Sequence, residues 1–311
     1  MEQREDIIRI FSKDIRNILK QAEVDFGQVQ EIRLRVQSPL LIICSNQEYY
    51  LTTEGKKTEA AAECRKQAYE VTRADLKETL EYVSSYSLYA FEEEIRQGYL
   101  TIQGGHRVGV AGKTIAEGNG IRSMKFISCM NVRLSHQIKG CADPVMPCIY
   151  QNGQLENVLI VSPPRCGKTT LLRDLIRAVS DGEGGPALRV GVADERGELA
   201  AMYQGEPQFS IGRQTDVLDG CPKGPALLML LRGMNPQVLA ADEITAPEDA
   251  AALEMAANCG VSLLCTAHAG SLEELKARPL YRRLLDEGLF RRLAIIERAG
   301  RERRYQVVEL C

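Results

Sequence analysis

The 311-residue sequence contains no tryptophan, and only 5% of its residues are aromatic. It also lacks long hydrophobic runs, since no apolar stretch reaches the roughly 18–20 residues that a membrane-spanning helix needs. The N-terminus, Met-Glu-Gln-Arg-Glu-Asp, has neither the basic start nor the apolar centre of a signal peptide. These absences predict a cytoplasmic protein.

Paired cysteines are missing as well. The ten cysteines are scattered, with no C-x-x-C pair and no regular spacing. Such a distribution is typical of reduced thiols that serve as small apolar residues, and it does not indicate a disulfide framework or a zinc site.

Charge of one sign is not in excess. The formal net charge is −3, which gives no overall attraction to nucleic acid or to anionic lipid. Arginines cluster near the C-terminus, but no aromatic residues interleave with them for base stacking, so we interpret them as helix and hairpin surface and expect no nucleic-acid partner. These arginines are Arg282, Arg283, Arg291, Arg292 and those within residues 298–304.

Residues 158–170, Val-Leu-Ile-Val-Ser-Pro-Pro-Arg-Cys-Gly-Lys-Thr-Thr, form an apolar strand that leads into a turn and then into a helical pattern. This order is typical of a phosphate-binding loop (Walker A), in which backbone N–H groups and a helix N-terminus bind a polyphosphate. Lys168, expected to face solvent, would reach the terminal phosphates, and the Thr169 hydroxyl would ligate Mg²⁺. The predicted nucleotide-binding residues are Ser162, Pro163, Pro164, Arg165, Cys166, Gly167, Lys168, Thr169 and Thr170.

The loop departs from the usual pattern at its first position, where Ser162 replaces the common glycine. A serine fits there only if its backbone avoids positive φ, and the two prolines that follow hold φ at values that a tight loop can use. The alternative, an ordinary strand–turn–helix junction, is less consistent with the strand, the Gly-Lys-Thr core and the helix in this order.

A break near residues 143–153, with Pro144, Pro147 and an Asn152-Gly153 turn, divides the chain. We predict a smaller α+β domain over residues 1–145 and a P-loop domain over residues 146–311. In the second part, apolar strands alternate with helices, which predicts an α/β fold with a mostly parallel, doubly wound sheet. The predicted strands span residues 158–161, 189–193, 238–241, 262–266, 293–297 and 304–310.

Polar residues follow three of these strands: Asp194-Glu195, Asp242-Glu243 and His268. Ligands of doubly wound sheets bind beyond the carboxyl ends of the strands, so these side chains are expected to converge on the phosphate loop. Asp242 is predicted to contact the hydration shell of the metal, and Glu243 is predicted to position or deprotonate the attacking water. The alternative for the Asp242-Glu243 pair is a solvated acidic turn.

The order of phosphate loop, acidic box (residues 194–198), Asp242-Glu243 strand and histidine box (residues 266–269) resembles the secretion-superfamily ATPases of type II and type IV secretion and pilus systems. Longer strings resemble, more specifically, the stage III sporulation protein AA family. These strings are residues 86–99, 104–109, 166–174 and 213–223.

The resemblance implies a RecA-like ATPase that binds ATP and Mg²⁺ and forms a homo-oligomeric, hexameric ring. This ring would energise a channel between mother cell and forespore, and it would be peripheral at the inner membrane through membrane proteins of the channel complex.

Site roles also follow from the resemblance. It implies phosphate contacts from Gly167, Lys168, Thr169 and Thr170, and metal and water roles for Asp242 and Glu243. His268 would sense the γ-phosphate, the alternative being a core histidine, and an acidic-box contribution would fall on Glu195. Arg213 would stabilise transition-state charge from a neighbouring subunit, or would only pair with Asp216.

Other functions fit part of the pattern. Residues 194–197 also match the D-x-x-G of a GTPase, but the Asn-Lys-x-Asp guanine reader is absent from the sequence. A DNA-handling RecA-like ATPase, or a scaffold that binds nucleotide without hydrolysis, remains open as an alternative.

Overall fold

The computed structural model describes residues 2–84, 98–117, 120–299 and 302–310. The chain divides into two units: one contains residues 1–136 and 203–208, and the other contains residues 137–202 and 209–311. Ala142 and Val145, which the sequence placed in the N-terminal domain, belong to a core of the second unit. Most of the family-like string at residues 86–99 lies outside the described residues.

Two sheets organise the first unit. Its strands are β1 (Val29–Arg35), β2 (Ser38–Pro39), β3 (Leu41–Cys44), β4 (Gln47–Leu51), β5 (Lys57–Glu59), β6 (Glu70–Val71), β7 (Tyr99–Ile102), β8 (His106–Glu117) and β9 (Gly120–Arg133). The short strands β2 and β6 pair with each other, and the other seven form an antiparallel sheet in the order β5-β4-β3-β1-β9-β8-β7.

Among the described residues of this unit, three α-helices accompany the sheet: α1 (Glu2–Arg9), α2 (Lys13–Gln21) and α3 (Arg73–Val83). Thr72 and Asp75 form a capping box at the start of α3. The buried Asp75 carboxylate also accepts a hydrogen bond from Ser12, the N-cap of α2, over 2.5 Å. The Asp75 carboxylate therefore connects the N-terminus of α2 to the N-terminus of α3.

His106 explains the Gly-Gly-His string in structural terms. Gly104 has a φ of 83°, and a Cβ there would lie 2.8 Å from Nε2 of His106, so a glycine is required. The imidazole is only 3% exposed, and its Nδ1 accepts a hydrogen bond from the Ser135 N–H over 3.1 Å. Burial, assisted by the charge of His136, lowers the pKa of His106 to about 4.

The second unit contains β10 (Tyr150–Gln151), β11 (Gln154–Leu155), β12 (Val158–Ser162), β13 (Val190–Asp194), β16 (Thr215–Asp219), β17 (Val238–Ala241), β18 (Ser262–His268), β19 (Arg292–Ala299) and β20 (Glu302–Glu309). A further hairpin of β14 (Met202–Tyr203) and β15 (Glu206–Pro207) interrupts this series in sequence, and all of it but Met202 belongs to the first unit. The main sheet has the order β16-β13-β17-β18-β12-β19-β20, and its neighbours are parallel except for the final pair.

Helices cover both faces of this sheet. They are α4 (Lys168–Asp181), α5 (Lys223–Gly233), α6 (Pro247–Asn258), α7 (Leu272–Ala277) and α8 (Pro279–Asp286). Ile160 packs in one core with Leu172 of α4, whereas the next residue, Val161, packs in another core with Leu253 of α6. Because successive strand residues point to opposite faces, both faces are buried and the strands are continuously apolar.

The predicted doubly wound, mostly parallel sheet is confirmed, and all six predicted strands are present. The sequence missed β16, which lies at the sheet edge and is only partly buried. None of the described helices has the length and apolar character needed to cross a membrane.

The buried His106 predicts a specific pH dependence. The unfolded chain binds a proton near pH 6.5, whereas folded His106 resists protonation until about pH 4. Its contribution to stability is therefore complete above pH 6.5 and is lost as the pH falls toward 4. We expect about 2 kcal/mol of unfolding free energy to be lost between pH 7 and 5 through this group, measured by urea denaturation.

His106→Asn keeps an acceptor for the Ser135 N–H but cannot titrate in this range, so it should flatten this part of the profile. His136→Asn, which removes a less buried histidine, should retain most of the slope. An unchanged slope in His106→Asn would contradict the assignment.

Candidate nucleotide-binding site

The phosphate loop connects the end of β12 to the start of α4. Ser162 is the last residue of β12 and is opposite His268 in the parallel register, and the positive φ angles fall later, on Arg165 (63°) and Gly167 (100°). The expectation that Ser162 avoids positive φ is confirmed. Its buried hydroxyl donates to the Pro163 carbonyl over 2.9 Å.

The tip of the loop is open to solvent. Pro163, Pro164 and Arg165 are exposed, and Cys166 is half-buried with its Sγ 3.7 Å from the Pro164 carbonyl oxygen. Gly167 is the N-cap of α4, whose first turn contains Lys168, Thr169 and Thr170. The free N–H groups of this turn and the helix dipole favour an anion here.

The expectation that Lys168 faces solvent is wrong. Lys168 is only 4% exposed, and its Nζ donates to the carbonyl oxygens of Ser162 and Pro163 over 3.3 and 3.4 Å. The same Nζ lies 2.8 Å from Nδ1 of His268. Burial lowers the pKa of Lys168, and the carboxylates of Asp242 and Glu243 oppose this effect.

Asp242 follows β17 and contacts two threonines. Its Oδ2 accepts from the Thr169 hydroxyl over 2.6 Å, and its Oδ1 accepts from Thr266. Burial raises the pKa of Asp242, while the two hydroxyl hydrogen bonds act in the opposite direction. These bonds place Thr169 and Asp242, the two predicted metal-associated residues, side by side.

The donor atoms at this point suit Mg²⁺. The described residues contain no group of three or more His, Cys, Asp or Glu side chains arranged to hold a metal. A hydroxyl and one carboxylate, completed by phosphate oxygens and water, are the oxygen donors that Mg²⁺ takes in phosphate-binding sites. Thr169 and Asp242 therefore fit a nucleotide-associated Mg²⁺.

Glu243 has a left-handed backbone, with a φ of 53°, which is unfavourable for a residue with a side chain. Thr266 supports this conformation, because its Oγ1 accepts from the Glu243 N–H over 2.8 Å. The Glu243 carboxylate lies 2.6 Å from Nε2 of His268 and accepts from Arg196 over 2.9 Å.

His268 therefore joins a lysine to a carboxylate. Because Lys168 donates to Nδ1, the proton of the neutral ring belongs on Nε2, which then donates to Glu243. The resulting chain, Lys168–His268–Glu243–Arg196, runs along the carboxyl edge of the sheet.

Two predicted residues have other partners. Glu195 forms an ion pair with the buried Lys223. Arg213 pairs with Asp181, with Nε 3.3 Å from Oδ1, and not with Asp216 as the alternative supposed. Within the described part of the chain, neither side chain contacts the phosphate loop by a hydrogen bond or ion pair.

No role is predicted from the sequence for Arg196 or Thr266, although both lie inside predicted motifs. Arg196 belongs to the acidic box, and Thr266 opens the histidine box. Their partners are distant in sequence, since Arg196 and Glu243 are 47 residues apart, so position in a motif was the only available signal.

Residues 1–308 match the protein family described as "Sporulation stage III, protein AA". The chain belongs to this family. The stage III sporulation protein AA of Bacillus subtilis (strain 168) is 38% identical over 296 residues, covering 94% of this chain and 91% of that protein. The family indicated by the sequence strings is thus confirmed.

Solved structures are similar in fold. The pilus retraction motor PilT, solved with bound ADP, has a TM-score of 0.59 at 12% identity, over 92% of this chain and 83% of that chain. The ATPase DotB of Yersinia pseudotuberculosis has a TM-score of 0.60 at 10% identity, over 92% and 76%. The fold of this family member is therefore that of the RecA-like secretion ATPases, preceded by a smaller α+β unit.

The role of Thr266 can be tested without nucleotide. Thr266→Val keeps the shape of the side chain but leaves the Glu243 N–H without its acceptor and Asp242 Oδ1 without its donor, while Oδ2 keeps its bond from Thr169. We expect a loss of about 2 kcal/mol in unfolding free energy, measured by urea denaturation, because buried polar groups become unpaired. Thr266→Ser keeps the hydroxyl and should lose less than half as much; equal losses would contradict the hydrogen-bonding role.

Proposed function

We propose that this protein is an ATPase whose site is the network at the carboxyl edge of the second sheet. The observation that carries the proposal is the continuous contact of Lys168, His268 and Glu243, beside the contact of Thr169 with Asp242. These residues come from two strand ends and one helix N-terminus, and together they supply a phosphate cradle, a metal contact and a candidate base.

The loop residues bind the triphosphate. Backbone N–H groups from Gly167 to Thr170 face the phosphates, and Lys168 transfers its hydrogen bonds from the carbonyls of Ser162 and Pro163 to phosphate oxygens. Thr169 and Asp242 would hold a Mg²⁺ ion, which when bound would supply positive charge to the phosphates.

Glu243 takes the role of general base. Its carboxylate lies beside His268, so the imidazole orients it and links it to the lysine that contacts the γ-phosphate. Binding of phosphate to Lys168 would therefore alter the hydrogen bond between His268 and Glu243. Glu195 is the second candidate acid, but its pairing with Lys223 places it in a different contact.

The two acids are separated by matched substitutions. Glu243→Gln should bind ATP normally and lose about 10²–10⁴-fold in turnover, as expected for removal of a general base. Glu195→Gln should cost less, because it loses an ion pair and not a proton acceptor. Turnover is measured by phosphate release and affinity by titration with a fluorescent ATP analogue.

Controls define the outcomes. Lys168→Ala should greatly weaken triphosphate binding in a folded protein and so serves as the binding-defective control. A dead Glu195→Gln beside a Glu243→Gln with near-normal turnover would reverse the assignment. If the wild-type protein binds ATP but does not hydrolyse it in a single-turnover experiment, it is a nucleotide-binding scaffold. Stimulation of ATP turnover by DNA would favour the DNA-handling alternative.

The work done by hydrolysis is proposed from family and fold. Family membership links the chain to sporulation, and PilT, which shares the fold, is named as a pilus retraction motor. We propose a homo-oligomeric ring of six subunits that energises a sporulation channel between mother cell and forespore. Membrane proteins of that channel would hold it at the membrane.

Substitution of Arg213 tests the proposed ring. Its side chain is 84% exposed and pairs with Asp181 at 3.3 Å, so it is able to exchange this partner for a neighbour's phosphates. Arg213→Ala should lower turnover about 10³-fold, as for loss of an arginine finger, while a non-hydrolysable ATP analogue still promotes oligomers. Light scattering measures the size of the oligomer. Arg291→Ala, which removes another exposed arginine, is the control. Monomers alone at high wild-type concentration with the analogue would contradict the ring.

A further inference from the structure

Strand β20 places Arg303 against the phosphate loop. A Cβ built on Gly167 would lie 2.8 Å from Cζ of Arg303 and 3.1 Å from its Nε and Nη1. The guanidinium therefore occupies the space over Gly167, the N-cap of α4. The left-handed φ of 100° is what favours glycine at this position, since the flexible Arg303 side chain could move away from a Cβ.

Two neighbouring groups place the Arg303 charge independently. Burial raises the pKa of Tyr305, and the charge of Arg303 opposes the rise. Burial likewise raises the pKa of Cys141 to about 12, again with the Arg303 charge opposing it. Cys141 Sγ in turn donates to the Thr170 carbonyl over 3.6 Å, which places Cys141 at the first turn of α4. The Arg303 charge that acts on Cys141 therefore lies near the same turn.

This placement brings three sources of positive potential together. The N-terminus of α4 carries a partial positive charge, Lys168 is the first residue of the helix, and Arg303 lies over the N-cap. The nearby Asp174 carboxylate does not balance them, because it already accepts from Arg177 and from the Ala142 N–H over 2.8 and 2.9 Å. A bound anion with several oxygens would satisfy all three.

We propose that Arg303 binds a phosphate of the nucleotide held by its own subunit. A planar guanidinium suits this role, because its N–H donors match the geometry of phosphate oxygens. The inference rests on the proposed nucleotide site and adds to it a residue contributed by the C-terminal hairpin of the domain, outside the four sequence motifs that define the site.

The test compares full-length wild type with Arg303→Ala, Arg303→Lys and Arg304→Ala. Arg304 is the next residue of the same strand, so its side chain points to the opposite face and makes it a matched control. ADP, a non-hydrolysable ATP analogue and inorganic tripolyphosphate are each titrated as competitors of a fluorescent ADP. Tripolyphosphate separates a phosphate contact from a contact with the base.

Arg303→Ala should weaken all three ligands about 10–100-fold, as expected for loss of a charge-assisted hydrogen bond. Arg303→Lys should recover part of the loss, and Arg304→Ala should bind like wild type. Thermal melting without ligand checks folding. If Arg303→Ala melts at a lower temperature than wild type, Arg303→Lys replaces it in the test. Arg303→Lys should then bind all three ligands more weakly than wild type.

Three outcomes overturn the inference. They are unchanged or tighter binding in Arg303→Ala, a loss confined to the nucleotides and absent for tripolyphosphate, and an equal loss in Arg304→Ala. In each of them the proposed ATP site stands if wild type binds ATP. Absence of ADP and ATP binding to wild type would overturn the proposed function together with this inference.

Discussion

The parallel pairing of β12 with β18 is the constraint on which the site depends. It places Ser162, the last residue before the phosphate loop, opposite His268. With β17 beside β18, the chain that follows each strand emerges at one edge of the sheet. Backbone register thus brings the segments that carry lysine, histidine and acid to the same edge of the sheet, although they are far apart in sequence. A shift of one residue would turn His268 to the other face.

Burial changes the chemistry of the groups that meet there. Lys168 is less basic and Asp242 more basic than in water, since each charged form is costly to bury. Apart from the contact of Lys168 with His268, their hydrogen bonds are with loop carbonyls and threonine hydroxyls, which are the groups that the proposed nucleotide and cation would replace. In the proposed mechanism, these partners hold the side chains in position until phosphate and cation replace them, so binding would require little rearrangement.

Much of the second unit could be predicted from its residues, because fully buried parallel strands are apolar without interruption. The pattern failed at β16, Thr-Asp-Val-Leu-Asp, since an edge strand is only half-buried and carries polar residues on both faces. Within the site, Gly-Lys-Thr and Asp-Glu are local signals and were found. The contact of Arg196 with Glu243 and that of Arg303 with Gly167 depend on how distant segments pack, and no local pattern encodes them.

The first unit is not continuous in sequence. Its final segment, residues 203–208, arrives after most of the phosphate-loop half of the second unit has been made, and Gln208 then accepts from the Gly104 N–H over 2.7 Å. During synthesis, the ribosome thus releases the seven-stranded sheet well before the peptide that completes the first unit. A fragment cut after residue 136 would lack that peptide, so dissection of this protein into separately expressed halves requires a splice or a circular permutation and not a single stop codon.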